Sequence, residues 1–91
     1  MTATVRIPTP LRSATGGSST VRVSGSTVRE VVADLDAAHP GIAERLLADD
    51  GRIRRFVNIF VDDTDVRFER GLDTPVPDGA TVSIIPAVAG G

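Results

Sequence analysis

Thr27-Val28-Arg29-Glu30-Val31-Val32-Ala33-Asp34-Leu35 is the stretch on which the fold turns. Val28, Val31, Val32 and Leu35 stand at i, i+3, i+4 and i+7, so a helix here carries one apolar stripe. Thr27 followed three residues later by Glu30 is a capping-box pattern, which satisfies N–H groups that a helix start leaves without partners. His39-Pro40-Gly41 stops the helix, because proline cannot continue the ladder and disfavours helix in the residue before it. One amphipathic helix cannot bury its stripe alone. It needs a sheet.

Strand patterns lie on both sides of that helix. Upstream, Val5-Arg6-Ile7 alternates apolar and polar, a strand expected to continue through Pro8 and Pro10 to Leu11. The prolines cannot donate ladder hydrogen bonds, so that strand should weaken or leave a side unpaired there. Ser13 to Ser19 reads as a loop, and Thr20-Val21-Arg22-Val23-Ser24 as the returning strand of a hairpin. Downstream, Ile42 to Ala48 reads as a short second helix ending at Asp49-Asp50-Gly51. Ile53 to Val61 is the clearest strand, with Phe56, Asn58 and Phe60 on one face and Val57, Ile59 and Val61 on the other. Asp62-Asp63-Thr64 turns the chain into a short return strand, Val66-Arg67-Phe68. Gly71 to Gly79 is a proline-containing loop. Ala80 to Pro86 is the last strand, with Val82 and Ile84 pointing one way and Ser83 and Ile85 the other. The expected fold is α+β, a mixed sheet with one main helix laid across it. Residues 1–86 are expected to form the domain and 87–91 a flexible tail.

Composition narrows the function. Ninety-one residues make one domain with one core and leave little room for a deep catalytic pocket. The absence of cysteine rules out a disulfide framework, a cysteine–zinc site and an internal thiol nucleophile. No apolar run suits a signal peptide or a membrane span, so the default location is the cytoplasm. A net charge of −2 with scattered arginines lacks the broad basic face that nucleic acid requires. All ten basic residues are arginines. Coding bias accounts for that; it also means that an activated carboxyl on this chain meets no lysine amine.

Enzyme constellations are missing. His39, the only histidine, sits at a helix stop, where a cap is the ordinary role. Asp62, Asp63 and Asp65 lack the glycine and glutamate that complete a calcium loop. Phosphate-binding glycine motifs are absent. The remaining candidate is the tail Ala87-Val88-Ala89-Gly90-Gly91, directly after the strand ending Ile84-Ile85-Pro86. Two glycines without β-carbons can lie extended in a narrow channel of another protein. Gly-Gly alone is a weak signal, since slack glycines are common at chain ends. Joined to a final β-strand it is a stronger one.

Phe56-Val57-Asn58-Ile59-Phe60-Val61-Asp62-Asp63, Val66-Arg67-Phe68 and Pro86-Ala87-Val88-Ala89-Gly90-Gly91 resemble the sulfur-carrier branch of the ubiquitin-like proteins. That branch includes the thiamine sulfur carrier and the small subunit of molybdopterin synthase. The similarity is sharpest to the actinobacterial carriers of cysteine biosynthesis. The resemblance implies a ubiquitin-like β-grasp fold and a protein cosubstrate rather than an enzyme. It implies that a ubiquitin-activating-type adenylyltransferase adenylates Gly91 and that sulfur then leaves a thiocarboxylate there. A pyridoxal-phosphate cysteine synthase would take the sulfur, and a zinc metallopeptidase would release the cysteine. The chain itself would bind no cofactor; ATP, metal and sulfur donor come with the activating partner. Partners would grip Phe60 and Ile85, with Phe56, Pro8 and Arg12 nearby and Val88 and Ala89 along the tail. Two exposed Phe rings on one face would make an apolar patch there. A molybdopterin-synthase small subunit, a protein modifier joined to lysines through Gly91, and an interaction module with an inert tail remain as alternatives.

Overall fold

The main helix, α1, spans Val28–Ala38 and buries Val28, Val31, Val32 and Leu35, the stripe expected from the spacing. Thr27 precedes it in extended conformation, and its Oγ1 accepts the Glu30 N–H at 3.2 Å. The second half of the cap is shifted by one residue. The Glu30 carboxylate accepts from the backbone N–H and hydroxyl of Ser26, at 2.8 and 2.9 Å, rather than from Thr27. The Val28 N–H donates to the Thr74 carbonyl at 3.1 Å, so the loop after the second half of the sheet closes over the helix start. His39 caps the C-terminus, and a short helix, α2, follows over Ile42–Leu46.

The computed structural model describes residues 1–86, and the expected tail at 87–91 lies outside them. Five strands, β1 (Thr2–Arg6), β2 (Thr20–Ser24), β3 (Val57–Val61), β4 (Thr64–Asp65) and β5 (Ala80–Pro86), form one sheet in the order β2-β1-β5-β3-β4. β1 runs parallel to β5; the other neighbours are antiparallel. Ala3 and Val5, Val23, Val57, Ile59 and Val61, and Ala80, Val82 and Ile84 project inward against the helix stripe. This is the ubiquitin-like β-grasp, and α+β is its class.

Four local expectations are corrected. The first strand does not run to Leu11: it begins at Thr2 and stops at Arg6, and Thr9–Thr15 is a 3₁₀ helix. Pro8 caps that helix in extended conformation. Pro10 falls in its first turn, where a missing N–H costs nothing. The segment expected as a loop from Ser13 therefore begins within this helix, which ends at Gly16 in the left-handed region, φ 66°. The long strand from Ile53 starts only at Val57, because Ile53 bridges Leu47 and the Arg54 N–H donates to the Leu46 carbonyl. Those residues answer to α2, not to the sheet. Val66–Phe68 is a 3₁₀ turn rather than a strand, since the Asp65 carboxylate accepts the Arg67 N–H at 2.9 Å and bends the chain. Return pairing is left to the two residues of β4. The loop from Gly71 also holds a 3₁₀ turn, Gly71–Asp73.

Gly25 is the residue that lets α1 approach β2. A β-carbon there would lie 2.8 Å from the Val31 nitrogen, inside contact distance of helix backbone. Gly25→Ala is therefore expected to cost about 1–3 kcal/mol of stability, read by denaturant titration.

Two carboxylates fasten chain segments and are held below their ordinary range. Asp78 is lowered chiefly by the Thr2 backbone N–H and then by its hydroxyl, and Glu30 by the same pair of groups on Ser26. A depressed carboxylate stabilises the fold above its unfolded value, near 4, and that contribution is lost as pH falls through its folded value. Acidification below about pH 5 should lower the Tm of the wild type more than that of Glu30→Gln/Asp78→Asn. Equal acid slopes in the two proteins would show that these bonds carry no pH dependence.

Candidate functional site

β5 lies at the centre of the sheet, yet its end is open on one side. Arg6, the last residue of β1, pairs with Ser83, so Ile84, Ile85 and Pro86 have no β1 neighbour. On the other side β3 continues to Val57, opposite Pro86. The Asp62 N–H donates to the Thr81 carbonyl at 2.7 Å, which fixes the phase of the β3–β5 ladder. In that phase Pro86 falls at a non-hydrogen-bonded pair, and its nitrogen faces the side where β1 has already ended. A proline thus closes a central strand without breaking a bond.

The space beside this strand end is a groove of about 600 Å³ lined by Arg6, Pro8, Arg12, Thr20, Ser83 and Ile85, among others. Pro8, Arg12 and Ile85 are thereby brought to one place. Arg12 reaches it from the first 3₁₀ helix, and its Nε donates to the Ile7 carbonyl at 3.2 Å. That bond ties the proline-led helix to the end of β1. Arg6 and Arg12 are the only charged residues in this lining, so the groove is basic.

Ile85 is 46% exposed between the buried Ile84 and the half-buried Pro86, the alternation expected. It pairs with Asn58, while Phe60 pairs with Ser83. Ile85 and Phe60 therefore share the open face as diagonal neighbours. The expected patch of two exposed rings does not form in that way. Phe60 is half-buried, and Phe56, 55% exposed, lies in the turn before β3 rather than on it. Phe56 still stands by the strand end, one residue from the Val57–Pro86 pair. Sequence reasoning missed Phe68, the most exposed ring at 85%. Its alternation with Val66 mimics a strand, and the signal against it was the turn-forming Asp65.

Other polar candidates have structural duties. His39 donates its N–H to the Leu35 carbonyl and accepts from the Ile42 N–H through its own carbonyl. Asp62 has φ 54°, and its carboxylate accepts the Thr81 N–H at 3.1 Å. It holds the β3–β4 turn to β5. Among the described residues no group of three or more His, Asp or Glu is placed to hold a metal ion, and no helix is long and apolar enough to cross a membrane. Val88, Ala89, Gly90 and Gly91 lie outside the described residues.

The sequence profile of the ThiS family matches residues 5–91. This chain belongs to the ThiS family. It is a ubiquitin-like sulfur carrier. Sulfur carrier protein CysO of Mycobacterium tuberculosis is 53% identical over 93 residues, covering 100% of both chains. The crystal structure of that organism's CysO matches with a TM-score of 0.90 and 51% identity, over 94% of this chain and 99% of that one. A chain in the crystal structure of the Amycolatopsis orientalis BexX/CysO complex has a TM-score of 0.92 and 48% identity, over 98% of this chain and 99% of its own. Small archaeal modifier protein 3 of Haloferax volcanii is 38% identical over 66 residues, covering 72% of this chain and 71% of that protein.

Neighbouring isoleucines test the facing of β5 in this ThiS-family carrier. Ile84→Ala should cost about 2–5 kcal/mol in thermal or denaturant unfolding. Ile85→Ala, on the open face, should stay within about 0.5 kcal/mol.

Proposed function

We propose that the carboxylate of Gly91 is the working group, and that this carrier delivers sulfur for cysteine biosynthesis as a thiocarboxylate. A free carboxylate is a poor electrophile. Attack of its oxygen on the α-phosphorus of ATP expels pyrophosphate and gives an acyl adenylate. A sulfur nucleophile then adds at the acyl carbon and AMP departs, leaving sulfur on Gly91. A ubiquitin-activating-type adenylyltransferase supplies the ATP site, the metal and the route to a sulfur donor. The chain is a cosubstrate in this scheme and performs no chemistry of its own. A pyridoxal-phosphate cysteine synthase receives the sulfur, and a zinc metallopeptidase frees the cysteine from Gly91.

The observation that carries this reading is the family match running through Gly91, joined to a last strand whose end is open toward a groove. Pro8, Arg12, Phe56, Phe60 and Ile85 are then the surface a partner meets first, with Val88, Ala89 and Gly90 threaded into its active site. The relative found in the BexX/CysO complex lends support to a carrier that works against a second protein. The cysteine branch rests on the likeness of the Ala87 to Gly91 tail to carriers of that pathway.

The test is intact mass after incubation with the adenylyltransferase, ATP and sulfide. The expected gain equals replacement of one oxygen by sulfur, and deleting Gly91 should abolish it while leaving the melting curve unchanged. Absence of any gain in the wild type overturns the proposal. A second reading, a protein modifier, draws on the likeness to the Haloferax modifier protein. It would appear instead as isopeptide conjugates on a denaturing gel.

A further inference from the structure

The outer edge of β3 is covered for only two residues. β4 pairs with Phe60 and Val61, and the chain then turns away at Val66. Toward Val57 no strand among the described residues lies beside the edge, although this is the end of β3 that faces Pro86. One side chain takes the place of the missing strand. Nη2 of Arg67 lies 2.7 Å from the Arg55 carbonyl, 2.8 Å from the Val57 carbonyl and 3.4 Å from the Arg54 carbonyl. The two hydrogens on that nitrogen serve the two short contacts, and these carbonyls bracket Phe56. Charge-assisted bonds of this length are the strong kind. The Val57 N–H donates to the Arg54 carbonyl at 3.0 Å, so the bracketed segment is a closed turn. Phe56, more than half exposed, has little packing to fix it otherwise.

We infer that Arg67 is a positioning residue: by holding the carbonyls of Arg55 and Val57 it sets Phe56 beside the root of the sulfur-bearing tail, where a partner docks. Its own neighbour Phe68 is the most exposed ring of the chain, so the same arginine joins both exposed phenylalanines to the end of the sheet. The docking role rests on the function proposed above; the hold on the turn does not. Among the described residues Nη2 of Arg67 bonds only backbone carbonyls of the turn, so its loss should weaken recognition and leave the chemistry alone.

Two measurements on the full-length protein decide the matter. Amide hydrogen exchange should quicken at Val57 in Arg67→Ala, with α1 protection unchanged. In sulfur loading by the adenylyltransferase with ATP and sulfide, Arg67→Ala should raise KM for the carrier roughly tenfold, the worth of one charge-assisted hydrogen bond, with kcat preserved. Phe56→Ala should raise KM likewise, and the double variant should be no worse than either single one. Unchanged exchange at Val57, an unchanged KM, or additive effects of the two substitutions would each overturn the inference. A wild type that takes no sulfur would instead defeat the carrier reading, with the exchange still deciding whether Arg67 holds the turn.

Discussion

The parallel pairing of β1 with β5 is the contact on which the rest of the molecule depends. The β1–β2 hairpin with α1 forms one half, and β3 with β4 the other, and within the sheet only β5 pairs with a strand of each. It contributes Ala80, Val82 and Ile84 to the floor on which α1 rests. The segment before it repeats the link from above, since Thr74 and Val76 bond the start of α1 at Val28 and Ser26. A fold closed in this way has its most central strand at the far end of the described chain.

That placement explains the prolines around the site. A central strand ordinarily excludes proline, yet Pro86 ends β5, and Pro8 and Pro10 follow β1 closely. Each acts by withholding pairing. Pro8 and Pro10 divert the chain into a 3₁₀ helix, which clears the space along the last residues of β5. Pro86 asks for no donor on the side so cleared. The groove follows from where three backbone N–H groups are missing, and Arg12 and Ile85 then line it.

Much of this was legible in the residues, and the failures are instructive. The helix stripe, the Thr27 cap, β2 and β5 are set by local period and turn chemistry, and they lie where the pattern places them. The facing of Ile85 follows from strict alternation. What local pattern could not supply was competition for hydrogen bonds. Ile53 to Phe56 has strand character but its backbone is engaged with α2, and Val66-Arg67-Phe68 alternates like a strand until Asp65 captures the Arg67 N–H. Phe56 and Phe60, four residues and so two strand periods apart, differ in exposure for the same reason, since one lies outside the ladder. The arrangement of Arg67 across the turn was beyond any spacing rule, because it joins residues ten or more positions apart.

A central strand contributed last has a bearing on biosynthesis. Domains commonly begin to fold from the N-terminus while the ribosome is still at work. Here no fragment released before residue 80 contains the strand that unites the two halves, so such a fragment lacks the pairing of β5 with β1 and β3. The complete sheet is therefore itself a sign that synthesis has passed residue 86.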